Sequence, residues 1–60
     1  MPRNPWTRQE LILALNLYLK LPFGQLHSRN QEIIRLAGII GRTPGAVAMR
    51  LTHFAAVDPY

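Results

Sequence analysis

The chain has 60 residues, 48% of them hydrophobic and none of them cysteine, so we expect one domain without a disulfide or thiolate metal site. Seven basic residues against three acidic ones give a net charge of +4, which favours a polyanionic partner and also fits solubility alone. No apolar run approaches the ~20 residues of a membrane span, and the first residues lack the apolar core of a signal peptide. We therefore expect a cytoplasmic protein with no membrane partner.

A first helix is predicted over residues 7–20. Thr7 and Glu10 have the spacing of a capping box, in which each side chain accepts a hydrogen bond from the other residue's backbone N–H. Pro22 ends the helix, because proline cannot continue the hydrogen-bond ladder. The 3,4 spacing of apolar residues predicts an inner face made of Leu11, Ala14, Leu15 and Tyr18.

The opposite side of this helix is also apolar, since Leu13 and Leu17 flank Asn16 and Lys20. A helix that is hydrophobic on two sides usually contacts something on both. In so short a chain, the second contact is expected to be another subunit or a neighbouring domain.

A second helix is predicted over residues 29–40, with Ser28 or Asn30 as its N-cap. Gly41 follows at the position where a left-handed residue commonly ends a helix. Arg35 is expected to point outward, as is Arg29. The predicted inner face contains Ile33, Leu36, Ala37 and Ile40.

A third helix is predicted over residues 44–56, with Thr43 as N-cap and Pro44 in the first position, where a missing N–H costs nothing. Its core side contains Val47, Leu51 and Phe54. Only "GRT" separates it from the second helix, which is the connection length of a helix-turn-helix. The sequence thus predicts a small all-α, three-helix bundle with a helix-turn-helix (Myb-like) arrangement of the last two helices.

The side of the third helix away from its core is small and uncharged, which suits entry into the major groove of double-stranded DNA. This face contains Gly45, Met49, Thr52 and Ala56, with Ala48 and His53 flanking it. Gly45 and Ala48 permit close approach, and Met49, Thr52 and His53 are predicted to contact the bases. Arg42 and Thr43 lie where a helix N-terminus favours a phosphate. Arg3, Arg8 and Arg50 are expected to contact flanking phosphates.

Other interpretations of these residues stay open at this point. The small face fits a helix–helix interface as well, and Met49 suits either use. His53 also fits the edge of the core, and His27 fits an ordinary loop position. Besides DNA binding and a protein interface, a third possibility is that Met49 and its small neighbours recognise a modified base.

Catalytic chemistry has little support in the sequence. The three carboxylates, at positions 10, 32 and 58, are scattered, and there is no cysteine nucleophile, phosphate-binding glycine loop or His-Glu metal motif. We therefore expect this chain to be no enzyme and to need no cofactor of its own.

Three segments together resemble the N-terminal region of bacterial HNH restriction-type endonucleases: "WTRQELILALNLY", "LPFGQLHSRNQEII" and "GRTPGAVAMRLTHFAAVDP". The similarity runs from Asn4 to Pro59, and the shorter pattern around "GRT" is also similar to Myb-like modules. The resemblance implies a DNA-binding or target-recognition module ahead of a nuclease domain in longer family members. That domain carries the HNH histidines and asparagine and their divalent metal, and none of these is expected here. The alternative is a protein-interaction module that dimerises, or docks the nuclease domain, through the apolar side of the first helix.

Overall fold

A computed structural model describes residues 5–57, apart from the side chain of Phe23. It contains three α-helices: α1 (Arg8–Lys20), α2 (Gln31–Ile40) and α3 (Pro44–Val57). A short 3₁₀ turn, Phe23–Gln25, lies between α1 and α2. Each helix packs against the other two, and no strand occurs in the described range. The predicted all-α, three-helix fold is confirmed, and the arrangement of α2 and α3 is compatible with a helix-turn-helix.

The start of α1 follows from its capping box, which is present as predicted. The backbone N–H of Thr7 donates to Glu10 Oε1 at 2.8 Å, and the N–H of Glu10 donates to Thr7 Oγ1 at 3.1 Å. These two bonds satisfy backbone donors that a helix start leaves without an intrahelical partner. They also fix the position of the Glu10 carboxylate beside the chain that enters the helix.

The start of α2 is set by Asn30 and not by Ser28. The Asn30 side-chain oxygen accepts hydrogen bonds from the backbone N–H groups of Glu32, at 2.8 Å, and Ile33, at 3.3 Å. The helix consequently begins at Gln31, two residues after the predicted position. Asparagine is favoured at this position because its short side chain reaches these orphan donors without leaving its rotamer.

The turn between α2 and α3 depends on Gly41, whose φ of 73° lies in the left-handed region. Its N–H and that of Arg42 both donate to the carbonyl of Ala37, which closes the end of α2 as a Schellman-type turn. Thr43 then begins α3, since its Oγ1 accepts from the N–H of Ala46 at 3.1 Å. The connection is three residues long, as predicted.

The core is assembled from one small residue of α1 and three residues each of α2 and α3. The predicted inner faces of α2 and α3 are confirmed, with Ile40 and Phe54 partly buried at the edge. Full burial of a leucine or isoleucine contributes about 1.5–3 kcal/mol, so these few residues carry most of the packing energy. The buried residues are Ala14, Ile33, Leu36, Ala37, Val47, Ala48 and Leu51.

The predicted inner face of α1 is wrong in one respect. Leu15 is exposed, whereas Leu17, which was expected on the opposite side, is partly buried against the core. Apolar residues surround most of this helix, so their spacing alone does not select the side that packs inward. Tyr18 does lie against the core, where its ring meets that of Phe54 edge to face at a centroid distance of 5.9 Å.

Candidate nucleic-acid interface

One side of α3 is left uncovered by the other two helices, and we call it the outer face. Met49 stands at its centre with 62% of its surface exposed. The opposite side of the helix carries Val47 and Leu51, which are fully buried. The outer face consists of five exposed residues, Gly45, Met49, Thr52, His53 and Ala56.

Ala48 does not belong to the outer face, which corrects the prediction that it flanks the candidate reading surface. Only 8% of its surface is exposed. With about 3.6 residues per turn, Leu51 falls between Val47 and Ala48 around the helix, so all three point into the core. The small side chain of Ala48 therefore contributes to the packing between helices.

The chemistry of the outer face is neutral and unobstructed. Residues 44–57 contain no acidic side chain. A Cβ atom placed on Gly45 would meet no other atom within 4 Å, so this part of α3 opens directly to solvent. The Thr52 hydroxyl donates to the carbonyl of Ala48 at 2.9 Å, so its oxygen can still accept a hydrogen bond, and the residue is exposed. This surface permits close approach of α3 to another molecule.

The arginine that precedes α3 is engaged within the domain. The Arg42 guanidinium donates from Nη2 to Glu10 Oε1 at 2.8 Å and to the carbonyl oxygen of Pro5 at 3.0 Å. Its central carbon lies 4.6 Å from the centroid of the Trp6 ring, within the range of a cation–π contact. The side chains of Arg42 and Glu10 are only 12% and 17% exposed. Nη2 is thus already held within the domain, so the phosphate contact predicted for Arg42 would have to use its other guanidinium nitrogens.

Glu10 is the acidic member of this cluster, which we call the Trp6 cluster and which consists of Pro5, Trp6, Glu10 and Arg42. The hydrogen bond from Arg42 is the main reason that the pKa of Glu10 lies below its ordinary value, and hydrogen bonding from the Thr7 backbone lowers it further. The carboxylate consequently stays charged to lower pH than that of an ordinary glutamate. The cluster is a stable contact between the entry to α1 and the turn before α3.

Arg50 also lies over the Trp6 ring, with its guanidinium carbon 5.0 Å from the ring centroid. It is half-buried, and its Nε is itself buried and has no hydrogen-bond partner among the described residues, so this nitrogen does not face the solvent. No carboxylate within the described range forms a salt bridge with it. Among the arginines of the turn and α3, Arg50 is therefore the better placed to meet an anion beside the outer face.

The remaining predicted residues are distributed around the start of the helices. Thr43 is exposed, but its hydroxyl is the cap of α3, so its first role is structural. Arg8 is exposed at the first position of α1. Arg3 lies outside the described residues.

Sequence reasoning missed the Trp6 cluster as a unit. Glu10 was predicted to be part of a capping box, but it was not connected to Trp6 or to the arginine 32 positions further along the chain. No local pattern reports such a pairing, because it depends on how α1 lies against the turn before α3. An excess of arginine in a composition likewise does not distinguish paired from unpaired guanidinium groups.

The described residues offer neither a metal-binding cluster nor a membrane-spanning helix. Residues 5–57 contain no group of three or more histidine, cysteine or acidic side chains arranged to hold a metal ion. No helix within the same range has the length and apolar character needed to cross a membrane.

No protein-family model, curated protein or solved structure matches this chain. The assignment of a function therefore depends on the exposure, shape and charge of the described residues.

Proposed function

We propose that this chain is a non-catalytic module that binds double-stranded DNA by inserting α3 into the major groove. The observation that carries the proposal is the outer face of α3, which is exposed, small and without acidic side chains. An α-helix with its side chains is about 10–12 Å wide, which is close to the ~12 Å width of the major groove. Small side chains at the leading end of α3 favour close contact with base edges.

Within this proposal, Met49, Thr52 and His53 meet the bases. The Met49 thioether and the Thr52 methyl group offer apolar contact to a thymine methyl, and the Thr52 oxygen accepts from an exocyclic amine. His53 provides a ring nitrogen for hydrogen bonding. All three side chains are exposed on the same side of α3.

The arginines divide into two roles in the proposal. Arg50, beside the outer face, and the exposed Arg8 contact phosphates and supply salt-dependent affinity. Arg42 is a positioning residue, since its contacts with Glu10 and Trp6 hold the turn from which α3 begins. The net charge of +4 favours the encounter with DNA at low ionic strength.

The resemblance to HNH restriction-type endonucleases extends the proposal to the larger protein in which this module would act. The module would select or position the target for a nuclease domain, which is then its partner and the holder of the divalent metal. A cytoplasmic location fits this role.

The sharpest test compares Gly45→Glu, on the outer face, with Gly38→Glu, on α2. Both glycines are exposed, and neither would bring a new Cβ within 4 Å of another atom. The two variants change the net charge equally. Glutamate in the first turn of α3 also favours the helix, because it replaces glycine and lies near the positive end of the helix dipole. A loss of DNA binding by Gly45→Glu is then separable from a loss of folding.

We expect Gly45→Glu to weaken binding to a fluorescent duplex by about tenfold, and Gly38→Glu by about twofold or less, as measured by anisotropy at low salt. Wild-type affinity should fall steeply as salt rises. Equal effects of the two variants would contradict the placement of α3 in the groove. Wild-type binding that is absent at low salt would contradict the proposed function itself.

A further inference from the structure

A second exposed surface lies between α1 and α2, on a different side of the domain from the outer face. It is a shallow groove of about 230 Å³ with an apolar floor and polar edges. We call it the α1–α2 groove. The residues that line it are Leu13, Asn16, Leu17, Lys20, Glu32, Arg35, Leu36 and Ile39.

The apolar residues of this groove are more exposed than the domain's own packing requires. Ile39 has 69% of its surface exposed, and Leu13 is also exposed beside it. Leu17 and Leu36 form the floor and pack against the core. Two protruding apolar side chains beside a concave apolar floor provide a ridge and a groove on the same surface, which is the shape that a second helix pair fits.

The charges of the groove are of both signs. Lys20 and Arg35 are basic, and Glu32 is acidic, and all three are exposed. A two-fold interface brings one surface against its own copy, so each residue that lines it must find a complement on that same surface. Glu32 and Arg35 satisfy this condition, because each supplies the opposite charge for the other across a two-fold axis.

We propose that the α1–α2 groove is the contact surface for a second copy of this chain, forming an isologous dimer through a four-helix arrangement. Two copies of a chain with a net charge of +4 repel each other at long range. Salt screens this long-range repulsion more than it screens the Glu32–Arg35 pairs in contact within the interface, so the dimer should strengthen as salt rises, opposite to the response expected for DNA binding.

The experiment compares Ile39→Glu with Ile34→Glu by sedimentation of the purified chain, without DNA, from micromolar to millimolar concentrations. Both isoleucines are exposed on α2, but only Ile39 lines the groove. Each substitution lowers the net positive charge equally and thereby reduces general repulsion between copies. We expect Ile39→Glu to weaken dimerisation at least about tenfold, while Ile34→Glu leaves it within about twofold of wild type.

A charge exchange tests the predicted pairing directly. Glu32→Arg alone and Arg35→Glu alone should each weaken the dimer, and the double variant should restore it, because the complementary pairs are then rebuilt with reversed signs. Circular dichroism of each variant checks that the helices are retained.

Several outcomes would overturn the proposal. A wild-type chain that stays monomeric throughout the concentration range excludes the dimer. Association that responds equally to the two isoleucine variants, or to Ile34→Glu alone, places the contact elsewhere. If the double charge variant dimerises as weakly as each single variant, Glu32 and Arg35 do not pair across the interface. Since no DNA is present, each result is independent of the proposed function.

Discussion

The segment from Gly41 to Leu51 contributes to two regions of the molecule. In one region its side chain is bound by other parts of the domain, and in the other its side chains are exposed. In the Trp6 cluster, the cation of Arg42 is held by a carboxylate, a backbone carbonyl and an aromatic ring. On the outer face of α3, seven residues further along the chain, Met49 has 62% of its surface exposed. The difference teaches that a charged residue predicted to bind a partner can be held by contacts within the domain, whereas the uncharged residues near it stay exposed.

The largest expected effect is on stability, and it distinguishes Arg42, which is hydrogen-bonded within the domain, from Arg8, which is exposed. Arg42→Ala should lower the free energy of unfolding by about 2 kcal/mol, because it removes two hydrogen bonds and ring packing and leaves Glu10 without its cation. Arg8→Ala should change it by no more than about 0.5 kcal/mol, since Arg8 is exposed at the end of α1 where a positive charge is not favoured by the helix dipole. Chemical denaturation measures both. Similar values for the two variants would remove the structural distinction between these arginines.

A smaller effect is expected for a pair of threonines in α3 and its cap. Thr43→Ala should cost about 1 kcal/mol of stability, because the N–H of Ala46 loses its acceptor. Thr52→Ala should stay within about 0.5 kcal/mol, since its hydroxyl bonds only to a carbonyl that already belongs to the helix. Thermal unfolding with both variants gives the comparison, and a larger loss for Thr52→Ala would show that the outer face is part of the packed structure.

The smallest effect concerns the charge of Glu10. Because its pKa is lower in the folded chain than in the unfolded one, its ionised form stabilises the fold above the ordinary glutamate pKa. That contribution is lost as pH falls through the lower, folded pKa. Glu10→Gln keeps an acceptor for the Thr7 backbone but removes the ion pair. The difference in Tm between wild type and variant should therefore shrink as the solution is acidified, and a constant difference would contradict the role of the charge.

Most of the fold could be predicted because its signals are local. The observed starts of α1 and α3 follow the predicted caps at Thr7 and Thr43, and Gly41 ends α2 as expected. The start of α2 was predicted too early, since Ser28 and Asn30 are both good caps and only the latter is used.

Other features depend on packing and could not be obtained from spacing. The inward side of α1 is decided by its fit against α2 and α3, which is why Leu15 and Leu17 exchange their predicted environments. The exposure of Met49 and His53 agrees with the sequence prediction, whereas contact of these residues with DNA stays a prediction. The pairing of Arg42 with Glu10 joins positions that no helical period relates.

The left-handed backbone of Gly41 constrains how this surface can evolve. A side chain would fit the empty space around that residue, yet it would be strained there, because the obstacle is a torsion angle and not a neighbouring atom. The path from α2 into α3 is thus fixed by main-chain geometry. Substitutions on the solvent side of α3 can therefore change the chemistry of the outer face without redirecting the helix that carries it.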